Sequence, residues 1–211
     1  MTPRKYARSE TMTPGFNRTI EICLEHLDLG PQTRVLDVPC GKGEAIVRLA
    51  PSGCRTIGLD RSSQLLMHAA TKLGRAHVSN RSRVLLSDGG RMPFGDETFD
   101  VCLSIGGPSC IAGHSVRAAL AEQTRVLRPG GFLVMSDMFR SDADPNPWIG
   151  PDHPDADGWT RLLEDVGLQI VHFEHLPVSA WDEYHAPMRE LIAEVRRDHA
   201  GDTERMDWDQ R

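Results

Sequence analysis

The sequence predicts an α/β fold in which a doubly wound, mostly parallel sheet carries helices on both faces. Short apolar runs rich in β-branched residues alternate with segments of helical periodicity. The run over 34–38 continues through a turn with two glycines into a helical pattern. Three of the runs end in an acid, at Asp37, Asp60 and Asp88. Because the carboxyl ends of parallel strands share one edge of a sheet, we expect these acids to line one ligand site.

The hydrophobic pattern defines each element in order. Strands are predicted at 34–38, 54–60, 83–88, 99–105, 132–137 and 168–176. Helices are predicted at 13–29, 45–50, 62–73, 115–127, 158–166 and 181–197. No strand pattern follows residue 197, so a seventh strand is expected to be missing or the chain to be shortened.

Length and composition restrict the class of function. The 211 residues suit one α/β domain, and the net charge of −6 argues against a surface for nucleic acid. No stretch of eighteen apolar residues occurs and the N-terminus lacks an apolar signal core, so we expect a cytoplasmic protein without a membrane span. The five cysteines lack C-x-x-C spacing and are expected to be reduced thiols.

The glycine turn indicates a nucleotide-like ligand. Gly41 and Gly43 allow close approach of the backbone, and the N–H groups at the following helix start favour a negative group. A dinucleotide fingerprint would require a third glycine, where Ile46 stands. Asp37 lies four residues before Gly41, where a carboxylate suits a ligand with a positive group. Asp60, seventeen residues beyond Gly43, can accept hydrogen bonds from ribose hydroxyls or, alternatively, cap the next helix.

Three segments together resemble the class I S-adenosylmethionine (SAM)-dependent methyltransferases. V-L-D-V-P-C-G-K-G at 35–43 is similar to the family's V-L-D-x-G-C-G-x-G, with Pro39 in place of a glycine. Residues 88–100 resemble D-x-x-x-L-P-F-x-D-x-S-F-D, and R-V-L-R-P-G-G-F-L-V at 125–134 is a further family signature. The resemblance covers about 34–137 and implies a Rossmann-like fold. It also implies SAM as cofactor and is nearest to the small-molecule, ubiquinone-biosynthesis-like branch.

The resemblance also implies roles for individual residues. Asp88 would meet the adenine amino group, with the backbone of Gly89 beside the ring. The residues expected to bind cofactor are Asp37, Pro39, Gly41, Gly43, Asp60, Arg61, Asp88, Gly89, Ile105 and Gly106. The loop after the fourth strand should face the reactive methyl group, and His114 there is a candidate general base. Alternatively, His114 is an exposed residue in the first turn of a helix.

We expect one methyltransferase domain over 1–211. It would comprise an N-terminal helix at 1–30 that packs on the sheet or covers the cofactor, a cofactor-binding core at 31–140, and a substrate side at 141–211. The aromatic candidates for the acceptor pocket are Trp148, Trp159, Trp181 and Tyr184.

The predicted reaction is direct in-line displacement by a small-molecule methyl acceptor, and the protein is a candidate homodimer. Three alternatives stay open. They are a nicotinamide-dependent oxidoreductase, a SAM-binding regulatory protein without catalysis, and a metalloid methyltransferase that uses Cys102 and Cys110.

Overall fold

The computed structural model of the chain describes residues 13–111, 113–141, 153–176 and 179–198. The strands are β1 (Arg34–Asp37), β2 (Arg55–Asp60), β3 (Ser82–Leu86), β4 (Phe99–Ile105) and β5 (Leu127–Ser136). The helices are α1 (Phe16–His26), α2 (Glu44–Leu49), α3 (Ser63–Arg75), α4 (Val116–Val126), α5 (Ala156–Asp165) and α6 (Ser179–Asp198). Two short 3₁₀ turns, Ala50–Ser52 and Pro108–Cys110, follow α2 and β4.

The sheet is parallel and has the strand order β3-β2-β1-β4-β5. The chain moves outward from β1 through β2 to β3, and then returns to the other side of β1. The order therefore reverses between β1 and β4, and ligands of such sheets bind beyond the carboxyl ends of the strands at that point. The doubly wound architecture predicted from the sequence is confirmed.

Alternate residues of the central strands enter separate cores, as expected for a sheet covered on both sides. Val35 of β1 packs with Phe16 and Ile20 of α1. The next residue, Leu36, packs in a second cluster with Ala119 and other residues of α4. The expected helices on both faces are therefore present.

Serine side chains begin two of the crossover helices. Ser62 Oγ accepts a hydrogen bond from Leu65 N at 3.3 Å, and Ser115 Oγ accepts one from Ala118 N at 3.2 Å. Such caps satisfy backbone donors that lack a partner in the first helical turn. Since Ser62 is the N-cap of α3, the side chain of Asp60 does not have that role.

The sixth strand predicted at 168–176 is wrong, because this segment has no strand structure. Its alternating pattern has no sheet face to pack against: Val171 and Phe173 are 78% and 60% exposed. The segment instead contacts the start of the chain, where Arg18 Nη2 lies 2.9 Å from Glu174 Oε2. The described part of the chain thus has five strands, and residues 199–211 lie outside it.

In the described ranges, no helix is both long and apolar enough to cross a membrane.

Candidate functional site

The glycine turn closes over the carboxyl ends of β1 and β2. Gly41 and Gly43 have φ angles of 51° and 75°, which side chains disfavour, so glycine is needed at both positions. The turn is tied to β2 by a hydrogen bond from Cys40 N to Leu59 O at 2.8 Å. The Val38–Pro39 peptide bond is cis.

A pocket of about 40 Å³ opens at the switch point between β1 and β4. It is formed by the end of β1, the glycine turn, the end of β4 and the beginning of α1. Its lining residues are Thr13, Phe16, Asp37, Pro39, Cys40, Gly41, Lys42, Glu44, Ala45 and Ile105. The sequence prediction included Asp37, Pro39, Gly41 and Ile105. It did not include Thr13 and Phe16, although the proposed covering role of the N-terminal helix pointed toward this region.

Asp37 is the main ionisable group of this pocket. Its side chain is buried, and within the described residues Oδ2 has no hydrogen-bond partner. Burial raises the pKa of the carboxyl group to about 8, and the negative charge of Asp60 adds to the effect. A buried, unpartnered carboxylate oxygen is costly unless a ligand compensates it, and a positively charged group would do so. The pocket therefore fits a ligand with a cationic sulfonium and ammonium.

Asp60 joins the glycine turn to the end of β2. Its Oδ2 accepts a hydrogen bond from Gly41 N at 2.9 Å, and its Oδ1 accepts one from Ser62 N at 2.8 Å. The carboxylate thus stabilises the turn that forms the pocket, a role that the sequence did not indicate. Because each carboxylate oxygen has two acceptor positions, both oxygens can still accept a hydrogen bond from a ligand hydroxyl.

Asp88 lies beyond the end of β3 and is bonded to His114. His114 Nε2 is 2.9 Å from Asp88 Oδ2, and Gly90 N donates to Asp88 Oδ1 at 2.9 Å. The hydrogen bond from His114 lowers the pKa of the Asp88 carboxyl, and the bond from Gly90 and the charge of Arg61 lower it further. His114 therefore lies at the β3 side of the sheet edge, where the resemblance places adenine.

The glycines after β3 and β4 are in close contact with neighbouring segments. A Cβ atom at Gly89 would lie 2.8 Å from Val38 Cγ2, which brings this loop against the end of β1. Gly106 has a φ of 98°, and a Cβ atom there would lie 3.2 Å from Thr13 Oγ1. The loop after β4 thus adjoins the pocket, and the loop after β3 packs against the segment that follows β1.

A further buried carboxylate lies beyond β5. Asp137 Oδ1 accepts hydrogen bonds from Ser109 Oγ at 2.6 Å and Met138 N at 2.7 Å, and Oδ2 accepts one from Ser109 N at 3.0 Å. Burial raises the pKa of this carboxyl group. Asp137 is not among the residues predicted from the sequence, although it follows its strand as Asp37, Asp60 and Asp88 follow or end theirs.

The aromatic candidates for the acceptor pocket lie in different parts of the molecule. Trp159 is buried and donates from Nε1 to Met138 O at 2.8 Å, whereas Trp148 lies outside the described residues. Trp181 and Tyr184 form an edge-to-face pair on α6, with ring centroids 6.3 Å apart.

The two thiols of the metalloid hypothesis lie in different environments. Cys102 is fully buried in the sheet core, whereas Cys110 is exposed. Among the residues that the structure describes, no group of three or more His, Cys, Asp or Glu side chains could hold a metal. These contacts do not support a thiolate site.

Comparison with known proteins identifies similar sequences and folds. A family profile described as a methyltransferase domain matches residues 35–131. O-methyltransferase rstn1 of Aspergillus nomiae is 28% identical over 178 residues, which are 76% of this chain and 78% of that protein. The 27-O-demethylrifamycin SV methyltransferase of Amycolatopsis mediterranei is 26% identical over 185 residues, which are 86% of this chain but 61% of that protein.

Among solved structures, YjhP from E. coli superposes with a TM-score of 0.75 at 22% identity, over 92% of this chain and 83% of that one. That similarity supports the fold. The fold, the motifs and the methyltransferase domain matched at 35–131 agree, and together they support a class I S-adenosylmethionine-dependent methyltransferase whose cofactor is S-adenosyl-L-methionine.

Proposed function

We propose that this enzyme transfers the methyl group of SAM to a hydroxyl group of a small molecule. The observation that carries the cofactor assignment is the buried, unpartnered Oδ2 of Asp37 in the pocket at the strand-order reversal. The hydroxyl acceptor is supported by the names of the two relatives above, an O-methyltransferase and a 27-O-demethylrifamycin SV methyltransferase. They align with 76% and 86% of this chain.

Each acid has a distinct part in the proposed cofactor site. Asp37 lies within the pocket and would compensate the positive end of SAM. Asp60 holds the glycine turn and would accept hydrogen bonds from the ribose hydroxyls. Asp88 and the adjoining Gly89 would contact adenine. Ile105, which lines the pocket of Asp37, and the next residue, Gly106, would face the reactive methyl group. Arg61 and Gly43 would support these loops rather than contact the reacting atoms.

The proposed chemistry is direct displacement at a sulfonium methyl group, which SAM supplies when bound. The protein orients the acceptor and excludes water, so that much of the rate would come from positioning. His114, which the sequence singled out as a general base, is bonded to Asp88. Its proposed role is therefore to fix the adenine-side carboxylate, and the base for the acceptor is expected elsewhere.

The test combines cofactor binding with product analysis. Thermal shift with SAM and with NAD distinguishes a methyltransferase site from a nicotinamide site, and only SAM should stabilise the protein. Incubation with [methyl-¹³C]SAM and a panel of alcohols, phenols, amines and thiols should then yield O-methyl carbon signals. Methylation of only nitrogen, sulfur or carbon would contradict the proposed acceptor. No release of S-adenosylhomocysteine with any member would favour a non-catalytic SAM-binding protein.

The proposed setting is the cytoplasm, where the five free cysteines would stay reduced. Dimer formation stays a prediction, which light scattering of the purified protein at several concentrations checks.

A further inference from the structure

The loop after β4 is built around the side chain of Asp137. In addition to its bonds from Ser109, this carboxylate lies so close to Gly107 that a Cβ atom there would be 2.0 Å from Oδ2. Gly107 also has a φ of 74°. A glycine is therefore required both for the backbone conformation and for the space that the carboxylate occupies.

His153 is held beside this carboxylate in a defined tautomer. Its Nε2 lies 2.8 Å from the carbonyl oxygen of Met138 and 3.8 Å from Asp137 Oδ1. A carbonyl oxygen can only accept, so Nε2 must carry the proton. In the neutral ring Nδ1 is then the atom with a free lone pair. In the part of the chain that the structure describes, no hydrogen bond to Nδ1 is found.

The surroundings fix the position of the imidazole. Trp159 packs edge-to-face on the ring, with centroids 5.9 Å apart, and donates to the same carbonyl of Met138. Asp137, the residue directly after β5, lies beside the ring. Arg140 and Asp155 form an ion pair in the adjoining segments, with Nη2 and Oδ2 3.5 Å apart. The Asp137 carboxylate, whose Oδ1 lies 3.8 Å from Nε2, would stabilise a protonated imidazole.

This cluster adjoins the cofactor pocket. Ile105, at the end of β4, lines that pocket and is paired with Ser136 of β5 in the sheet. Asp137 is the next residue after Ser136, so the cluster lies at the carboxyl ends of the two strands beside the strand-order reversal. Ligands of doubly wound sheets bind along this edge.

We propose that His153 is the general base that accepts the hydroxyl proton of the methyl acceptor, with Asp137 as its positioning residue. The inference rests on the proposed O-methylation. The acceptor oxygen forms a bond to the methyl carbon while the carbon–sulfur bond breaks. The sulfur keeps that electron pair and becomes the neutral thioether of S-adenosylhomocysteine. The hydroxyl proton passes to Nδ1 of His153, and the resulting imidazolium is stabilised by the carboxylate of Asp137.

The test compares His153→Gln with His172→Gln, a control histidine that is paired with Glu174 outside this cluster. With the hydroxyl acceptor found in the product panel, His153→Gln should lower kcat about 100-fold near neutral pH, a size typical of general base catalysis. The loss should shrink as the pH rises and the hydroxyl ionises without help, whereas His172→Gln should keep the wild-type profile. A loss of equal size at every pH would overturn the assignment, because it would indicate a structural role.

A second measurement needs no acceptor. Long-range ¹H–¹⁵N spectra of histidine-labelled protein should show His153 protonated at Nε2 and not at Nδ1 in its neutral form. With the acceptor present, Asp137→Asn should lower kcat and leave KM nearly unchanged, since the charge that stabilises the imidazolium is removed. A neutral ring protonated at Nδ1 would overturn the proposal. If O-methylation occurs and His153→Gln retains the wild-type pH profile, the base assignment fails while the proposed function stands. If no O-methyl product forms, the proposed function fails.

Discussion

The substitution Asp37→Asn should change how the stability of the protein depends on pH. The ordinary pKa of an aspartate carboxyl group is 3.8, and in the folded protein burial raises that of Asp37 to about 8. Between these values the folded state binds a proton that the unfolded state has released. The free energy of unfolding of the wild type therefore falls as pH rises, and the fall ends above the folded pKa.

The size of the effect follows from one linked proton. The limiting slope is about 1.4 kcal/mol per pH unit, so the wild type should lose roughly 2 kcal/mol between about pH 6 and pH 8 through this group. Asparagine does not titrate, so Asp37→Asn should lack this loss. Urea unfolding at a series of pH values, without SAM, measures the difference between the two curves.

Asp96→Asn is the matched control. The side chain of Asp96 is 75% exposed and pairs with Arg125, so its removal should leave the pH dependence of the wild type almost unchanged. Parallel stability curves for wild type and Asp37→Asn would refute the reasoning, because they would mean that Asp37 is already ionised in the folded protein at neutral pH.

Three further outcomes follow from the same contacts. If the cation of SAM requires ionised Asp37, SAM binding below about pH 8 should release a proton from this carboxyl group. Calorimetry in buffers of different ionisation enthalpy detects that proton, and binding heats that do not depend on the buffer would contradict the expectation. Asp60→Ala should weaken SAM binding by about 1–3 kcal/mol, since both the turn and the ribose lose a charged acceptor; an unchanged dissociation constant would refute the ribose placement. Gly58→Ala should destabilise the protein by about 1–3 kcal/mol in urea, because its Cβ would lie 2.8 Å from a thiol sulfur and an isoleucine methyl carbon. Gly74→Ala in α3 is its control; it meets nothing within 4 Å and should stabilise by about 0.5–1 kcal/mol, and equal effects of the two would contradict the packing argument.

The parts of the fold that local patterns determine were predictable from the sequence. The boundaries 99–105 agree with those of β4, because this strand is buried along its length and bounded by a turn and glycines. The start of β5 was placed too late. The prolyl and glycyl residues at 129–131 read as a break, whereas the strand runs from Leu127 with an irregular register opposite Phe99 and Val101.

The remaining differences arise from contacts between distant segments. The pattern of 168–176 alternates as a strand would, but pairing with Arg18 across 156 residues cannot be read from that pattern. In the candidate site, too, contacts between distant segments were not predictable from local patterns. Asp37, Asp60 and Asp88 were predictable because each ends an apolar run. The bond of Asp88 to His114 was not, because it depends on how a later loop folds back.

The most direct test of the account is a crystal structure of the protein with S-adenosylhomocysteine. We expect the thioether product in the pocket between β1 and β4, with its ribose hydroxyls within hydrogen-bond distance of the Asp60 carboxylate and its amino group nearest to Asp37. A ligand bound at another surface, or a ribose that lies away from Asp60, would contradict the proposed cofactor site.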